Sequence, residues 1–250
     1  MKKIVWLDIG THFAQEYTSI FGPNLWFYYT LIKRFLSSKL LRRGDFITYI
    51  EVKSLIKVRS ELRKRREMFH IIFVEANPII TSSRKVYMEA DQVFNIAIMD
   101  NCEERFKLVK LYFQNGHSTS QGNSIYKDKG NARPEEYVLA SGVSSEAFMN
   151  TLKNYLDETL KDYSLLLRVN CEGSEDSVIY SAFNSFDSDF YCITGSLKDV
   201  KAVKGDEAMK NLMQFINEKN INNVFFSASL HSWLDAHKAI LKLFSKEKQC

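Results

Sequence analysis

The sequence predicts an α/β protein built on an open sheet with helices on both faces. Two observations carry that expectation. The runs "KKIVWLDIG" (2–10), "HIIFVEANP" (70–78) and "SLLLRVNCEG" (164–173) are short and near-continuously apolar, as parallel strands covered on both sides are. Between them lie segments with helical spacing, and strand–helix alternation implies an open α/β sheet.

Taken in order, the first run ends at Asp8 and Gly10, and residues 24–41 and 51–68 follow as helices, the second carrying Val52, Leu55, Ile56 and Leu62 at helical spacing. The strand at 70–74 stops abruptly at Glu75, Asn77 and Pro78. "VFNIAIMD" (93–100) and "RFKLVKLYF" (105–113) read as further strands, the latter half-exposed because Lys107 and Lys110 punctuate it. A helix is expected over 144–161, then the third apolar strand, then the amphipathic helix "DEAMKNLMQFINEKN" (206–220) before "NVFFSAS".

At 250 residues and 45% hydrophobic content the chain can bury a sizeable core, and the expectation is a single domain over 1–250. Cys102, Cys171, Cys192 and Cys250 are far apart and show no metal-ligand spacing, which argues against a disulfide framework or a zinc site and for a reducing, cytoplasmic setting. No apolar stretch reaches the roughly 18 residues of a membrane span, and the N-terminal run is broken by Asp8 and Gly10, so no signal peptide or transmembrane segment is expected.

Charge is concentrated. Residues 33–66 hold twelve Lys or Arg against Asp45, Glu51 and Glu61, a net of 12 − 3 = +9, whereas the whole chain is +4 and the remainder therefore −5. A basic, mainly helical insertion over 20–69 is thus expected, suited to phosphate-bearing or otherwise anionic partners. The "RGD" at 43–45 is taken as chance.

Open α/β sheets bind ligands at the carboxyl ends of their strands. A carboxylate such as Glu75 placed there can accept from both hydroxyls of a ribose, and a loop that must approach the ligand favours Gly10. "DIGTHFAQE" has only one glycine, so a dinucleotide pyrophosphate is disfavoured and a nucleoside without phosphates is favoured.

These residues resemble a family. "WLDIGTHFAQE" is similar to the first loop of the FkbM-type methyltransferases that use S-adenosylmethionine (SAM), "FVEANP" to their "FEPNP", "NIAIMD" to their "NxAxxD", "NGHSTSQGN" to their "GxSS" loop, and "LLLRVNCEGSE" to their "lKiDvEGaE". The motifs occur in the family's order over residues 4–180, about seven tenths of the chain. The resemblance implies a Rossmann-like SAM-dependent methyltransferase sheet, SAM as cofactor, and a hydroxyl of a sugar or other polar metabolite as acceptor. It places Asp8, Gly10, Thr11, Glu75, Asn77 and Asp100 at the cofactor and Glu172, His117 and Asn170 at the chemistry; no metal-ligand spacing supports a metal. The sequence departs from the pattern at His12 and Ala14 in the first loop, and at Asn170, where the family has an acid; asparagine cannot serve as a base, so Glu172, Asp100 or His117 is expected to take the proton, or catalysis to rest on proximity alone. Arg63, Arg65 and Arg66 in the insertion are the expected readers of a phosphorylated or nucleotide-activated acceptor. His231 and His237, flanking Trp233, are expected to be structural. Two alternatives stand beside this reading: a nucleic-acid methyltransferase, with Trp26, Phe27, Tyr28, Tyr29 and Tyr49 among the basic residues, and a non-catalytic binding module on the same fold. The oligomeric state, homo-oligomers included, is left open.

Overall fold

A computed structural model describes residues 2–40, 48–115, 117–119, 122–130, 132–225 and 230–246. Arg42, the "RGD" at 43–45, Cys250 and parts of the "NGHSTSQGN" and "NVFFSAS" motifs lie outside the described residues, as does the side chain of His231. The protein has a mixed α/β fold with a mostly parallel central sheet flanked by helices, the arrangement a Rossmann-like sheet requires. Among the described residues no helix is long and apolar enough to cross a membrane.

The chain forms two compact units, one of residues 1–13 and 69–223 and the other of residues 14–68 and 224–250. The sheet unit is built on β1 (Lys3–Ile9), β2 (Phe69–Val74), β3 (Gln92–Phe94), β7 (Tyr163–Val169) and β8 (Phe190–Gly195), ordered β3-β2-β1-β7-β8 and continued by β9 (Asn222–Phe225). β2 pairs with β1 and with β3, and β7 with β1 and with β8, all in parallel. β1, β2 and β7 are apolar because both their faces are covered: Val5, Leu7, Ile71, Phe73, Leu165 and Leu167 have no exposed surface. Strand order runs outward from β1 in one direction and from β7 in the other, so the carboxyl ends of these two neighbours form the switch point where α/β sheets place ligands.

A second, three-stranded sheet, β4-β6-β5, holds β4 (Ala97–Met99), β5 (Phe106–Gln114) and β6 (Ala132–Ser144). Two expectations change here. "VFNIAIMD" is not one strand: it breaks after Phe94, where Asn95 Nδ2 donates to the Glu75 carbonyl at 2.6 Å, and its halves join different sheets. β6 was not legible as a strand, because "ARPEEYVLASGVS" carries proline and acids on exposed positions and only its last residues are buried.

The helices of this unit are α4 (Pro78–Ser83), α5 (Ser145–Thr159), α6 (Glu175–Phe186) and α7 (Lys198–Glu218). Asn77 caps α4, its Oδ1 accepting from Ile79 N at 3.0 Å with Pro78 in the first turn, and Ser144 caps α5. α7 starts earlier than the sequence suggests and kinks at Gly205, whose φ of 89° is non-helical.

The second unit packs α1 (Gln15–Phe21), α2 (Asn24–Leu40), α3 (Tyr49–Arg63) and α8 (Leu230–Lys246). A capping box of Thr48 and Glu51 starts α3. Phe27 and Leu31 of α2 meet Leu55 of α3 and Leu230, Trp233 and Leu234 of α8 in one core. The segment after β1 therefore shares its core with the C-terminal helix.

Candidate functional site at the carboxyl ends of the sheet

The loops after β1 and β7 are bound tightly to their neighbours. Gly10 N and Thr11 N donate to the Val74 carbonyl at 2.9 and 3.2 Å, and Asn170 N donates to the Ile9 carbonyl at 3.0 Å. Gly10 has φ 73°, and a Cβ there would run into the Asn170 carbonyl, so glycine is required by loop-against-loop packing. The Thr11 hydroxyl donates to the Asp8 carbonyl at 2.7 Å and is buried.

Asp8 faces Arg168 across the β1–β7 pairing. The Arg168 Nη1 lies 3.0 Å from Asp8 Oδ1 and donates to the Gly10 carbonyl at 2.6 Å, and both side chains are buried. The arginine was the signal the sequence offered and the reading missed: a cation inside "LLLRV" needs an anion on an adjacent strand.

Glu75 sits at the end of β2 and ties two loops together. Its Oε2 accepts from His12 N at 2.7 Å and its Oε1 from Asn77 N at 2.8 Å. Burial pushes its pKa upward, while those two amides and Arg168 pull it back. Tyr87 closes the same loop, its hydroxyl donating to the His12 carbonyl at 2.6 Å.

A second acid performs the same task after β7. Glu175, fully buried at the start of α6, accepts from Glu172 N at 2.7 Å and from Gly173 N at 2.9 Å. These bonds hold Glu172 in a left-handed conformation (φ 62°). Burial raises the Glu175 pKa to about 7.

Residues between β5 and β6 lie over these strand ends. Ser118 accepts from Asn77 Nδ2 through its carbonyl, the Thr119 carbonyl is 3.3 Å from His12 Nε2, and Ser124 Oγ donates to the Glu172 carbonyl at 2.8 Å. Lys129 ends the segment in a buried triad, bridging Glu172 Oε2 and Asp199 Oδ1, the latter at 3.1 Å. Burial raises the Glu172 pKa and Lys129 opposes it; burial alone would lower the Lys129 pKa, but the two carboxylates raise it. Asn170 Nδ2 lies 3.5 Å from Glu172 Oε1.

Asp100 belongs to a neighbouring cluster. It accepts from the Tyr126 hydroxyl and from Lys204 Nζ, each at 2.6 Å, and Lys204 also reaches Asp176 at 2.6 Å. A side chain at Gly173 would collide with the Tyr126 ring.

The structure thus brings together Asp8, Gly10, Thr11, Glu75, Asn77, Asn170 and Glu172, with Asp100 held beside them through Tyr126. His117 is exposed on the covering loop. Of the predicted anion readers in the second unit, Arg63 Nη1 donates to the carbonyls of Phe21 and Gly22 at 2.8 and 2.6 Å, together with Arg59, which donates to the Ser19 and Gly22 carbonyls. Both arginines cap the C-terminal end of α1. Arg65 pairs with Glu61 at 3.1 Å and Arg66 Nε lies 3.4 Å from the Tyr17 hydroxyl. Lys129, Tyr126, Lys204 and Asp199 escaped the sequence reading, since nothing in a polar loop or an amphipathic helix marks which residue will turn inward. Among the described residues no group of three or more His, Cys, Asp or Glu is placed to hold a metal ion. No protein-family model, no curated protein and no solved structure matches the chain.

Proposed function

We propose that this chain is a SAM-dependent O-methyltransferase of the FkbM type, acting in the cytoplasm on a hydroxyl of a sugar or sugar-like metabolite that is phosphorylated or nucleotide-activated. The observation that carries the reading is Glu75, a carboxylate at the end of β2 one strand from the switch point, oriented by the amides of His12 and Asn77. A carboxylate offers about four lone-pair positions, so two remain for a pair of vicinal hydroxyls after both amides are bound.

The residues fit a nucleoside unequally. Glu75 fits the ribose. Asp8 is committed to Arg168, and the space beside Gly10 is filled by the Asn170 carbonyl, so neither is free to approach a ligand closely. Bound SAM would supply an electrophilic methyl group; the protein's share is to orient the acceptor hydroxyl and take its proton. Glu172 is the candidate for that proton, with Asn170 beside it and Lys129 stabilising its ionised form.

A second reading, a binding module without catalysis, is favoured by one observation: Asp8, Glu172 and Glu175 are all engaged by groups of this chain. Calorimetric titration with SAM and its demethylated product separates the two, followed by transfer from labelled SAM to phosphorylated sugars and nucleotide sugars. Micromolar binding with label transfer is expected; binding of neither compound overturns the methyltransferase reading.

A further inference from the structure

Helix α2 is apolar on two sides. Phe27 and Leu31 fill the core of the second unit. On the other side Leu25 is 84% exposed, Tyr29 64%, Ile32 57% and Leu36 49%, with Tyr28 also exposed. The spacing of 25, 28/29, 32 and 36 draws one continuous stripe along the helix. Scattered exposed apolar residues need no explanation, but a stripe five residues long on one face marks a docking surface.

The charge around the stripe selects its occupant. No Asp or Glu lies between Glu16 and Asp45 in the sequence. Arg34 turns to the core side, its guanidinium 4.2 Å from the centroid of the Trp233 ring. Lys33 is exposed on the flank of the stripe. A second copy of the chain docking through this face about a two-fold axis would set α2 against α2, and that helix carries no carboxylate to meet Lys33. An anionic bilayer supplies negative charge at the level of the lysines and hydrocarbon beneath, and tyrosines favour that boundary. At 17 residues and with an opposite face buried in protein, the helix is suited to lie in the interface plane, its apolar side entering by about 5–10 Å.

We propose that α2 is a membrane-surface helix that docks this protein on an anionic lipid bilayer through Leu25, Tyr28, Tyr29, Ile32 and Leu36, with Lys33 at the headgroups. The proposal does not rest on what the strand-end site does.

Flotation of the full chain with vesicles tests it, using phosphatidylcholine alone and phosphatidylcholine mixed with phosphatidylglycerol. Binding is expected on the mixed vesicles, weakened by salt as surface charges are screened. Ile32→Glu with Leu36→Glu is expected to reduce it at least 100-fold, and Lys33→Gln about fivefold, the factor for one basic residue near an anionic surface. Because all three positions are exposed, unchanged circular dichroism and melting temperature are expected of both variants. Absence of binding to the mixed vesicles, equal binding to both kinds, or a wild-type dimer in sedimentation velocity that the double variant dissociates while flotation is unaltered, each overturns the proposal.

Discussion

Arg168 Nη1 lies 3.0 Å from Asp8 Oδ1 across adjacent central strands, and neither side chain is more than slightly exposed. The pair joins β1 to β7 at the level where their loops diverge, and the same guanidinium reaches the Gly10 carbonyl. Charge balance inside the sheet and the shape of the first loop therefore depend on one side chain.

Removing that side chain should be costly. Arg168→Met leaves Asp8 buried without its counter-ion, and breaking a buried pair from one side costs about 3–5 kcal/mol. The double variant Arg168→Met/Asp8→Asn should recover part of the loss. Urea unfolding measures both; equal stability of the single and double variants would show that the two charges are not coupled.

Glu75→Ala should weaken SAM binding about 10- to 100-fold, since hydrogen bonds to a charged acceptor contribute roughly 1.5–3 kcal/mol each. It also strips the acceptors from His12 N and Asn77 N, so the folded fraction must be measured alongside. Glu75→Gln keeps one carbonyl acceptor and should fall between. A folded Glu75→Ala protein with the wild-type dissociation constant would place the ribose elsewhere.

Glu172→Gln should leave SAM affinity within about twofold and lower turnover about 10²–10⁴-fold, the usual range for general-base assistance. Lys129→Met should keep some activity but move the acidic limb of the pH–rate profile to higher pH, because the cation that stabilises ionised Glu172 is gone. Full turnover by Glu172→Gln would transfer the role to His117 or to proximity alone.

Two buried groups should give stability opposite slopes against pH. Glu175 is raised by burial from its ordinary 4.5 to about 7, so the folded state holds its proton more firmly; that contribution is complete below pH 4.5 and is lost as pH rises through about 7. His237 is lowered by burial, and by Arg59, from 6.5 to about 3; it contributes fully above pH 6.5 and its share is lost as pH falls toward 3. Each is worth a few kcal/mol, on the order of 3 for Glu175 and 5 for His237. Ser19 Oγ is 2.6 Å from the Glu16 carbonyl and donates its single hydrogen there, so His237 Nε2, 2.9 Å away, is the donor in a neutral ring. Urea midpoints between pH 4.5 and 6.5 should rise more steeply in Glu175→Gln and less steeply in His237→Gln. Parallel slopes in all three proteins would contradict both assignments.

The position of the strands was legible because a strand covered on both faces is apolar over most of its length, and "KIVWLDI", "FHIIFV" and "YSLLLRV" are, the paired Asp8 and Arg168 excepted. That a carboxylate, Glu75, closes the second strand was legible in the same way; that the amides of His12 and Asn77 donate to it was not. β6 was hidden because a strand with one solvated face and a proline carries no comparable signal.

What the sequence by itself determined is therefore local: where chain is buried on both sides, where helices are capped, and where charge accumulates along the chain. Tertiary structure alone decided which charges meet. Lys129 and Asp199 stand 43 and 27 residues from Glu172, and only the fold of the β5–β6 connection and the start of α7 sets them against it. In the same way the basic segment reads as one patch in sequence, yet Arg59 and Arg63 turn inward to cap α1 while Lys33 remains on the surface. Composition fixes how many cations a helix carries; packing decides whether carbonyls, carboxylates or solvent receive them, since an arginine with a helix end within reach exchanges water for fixed acceptors.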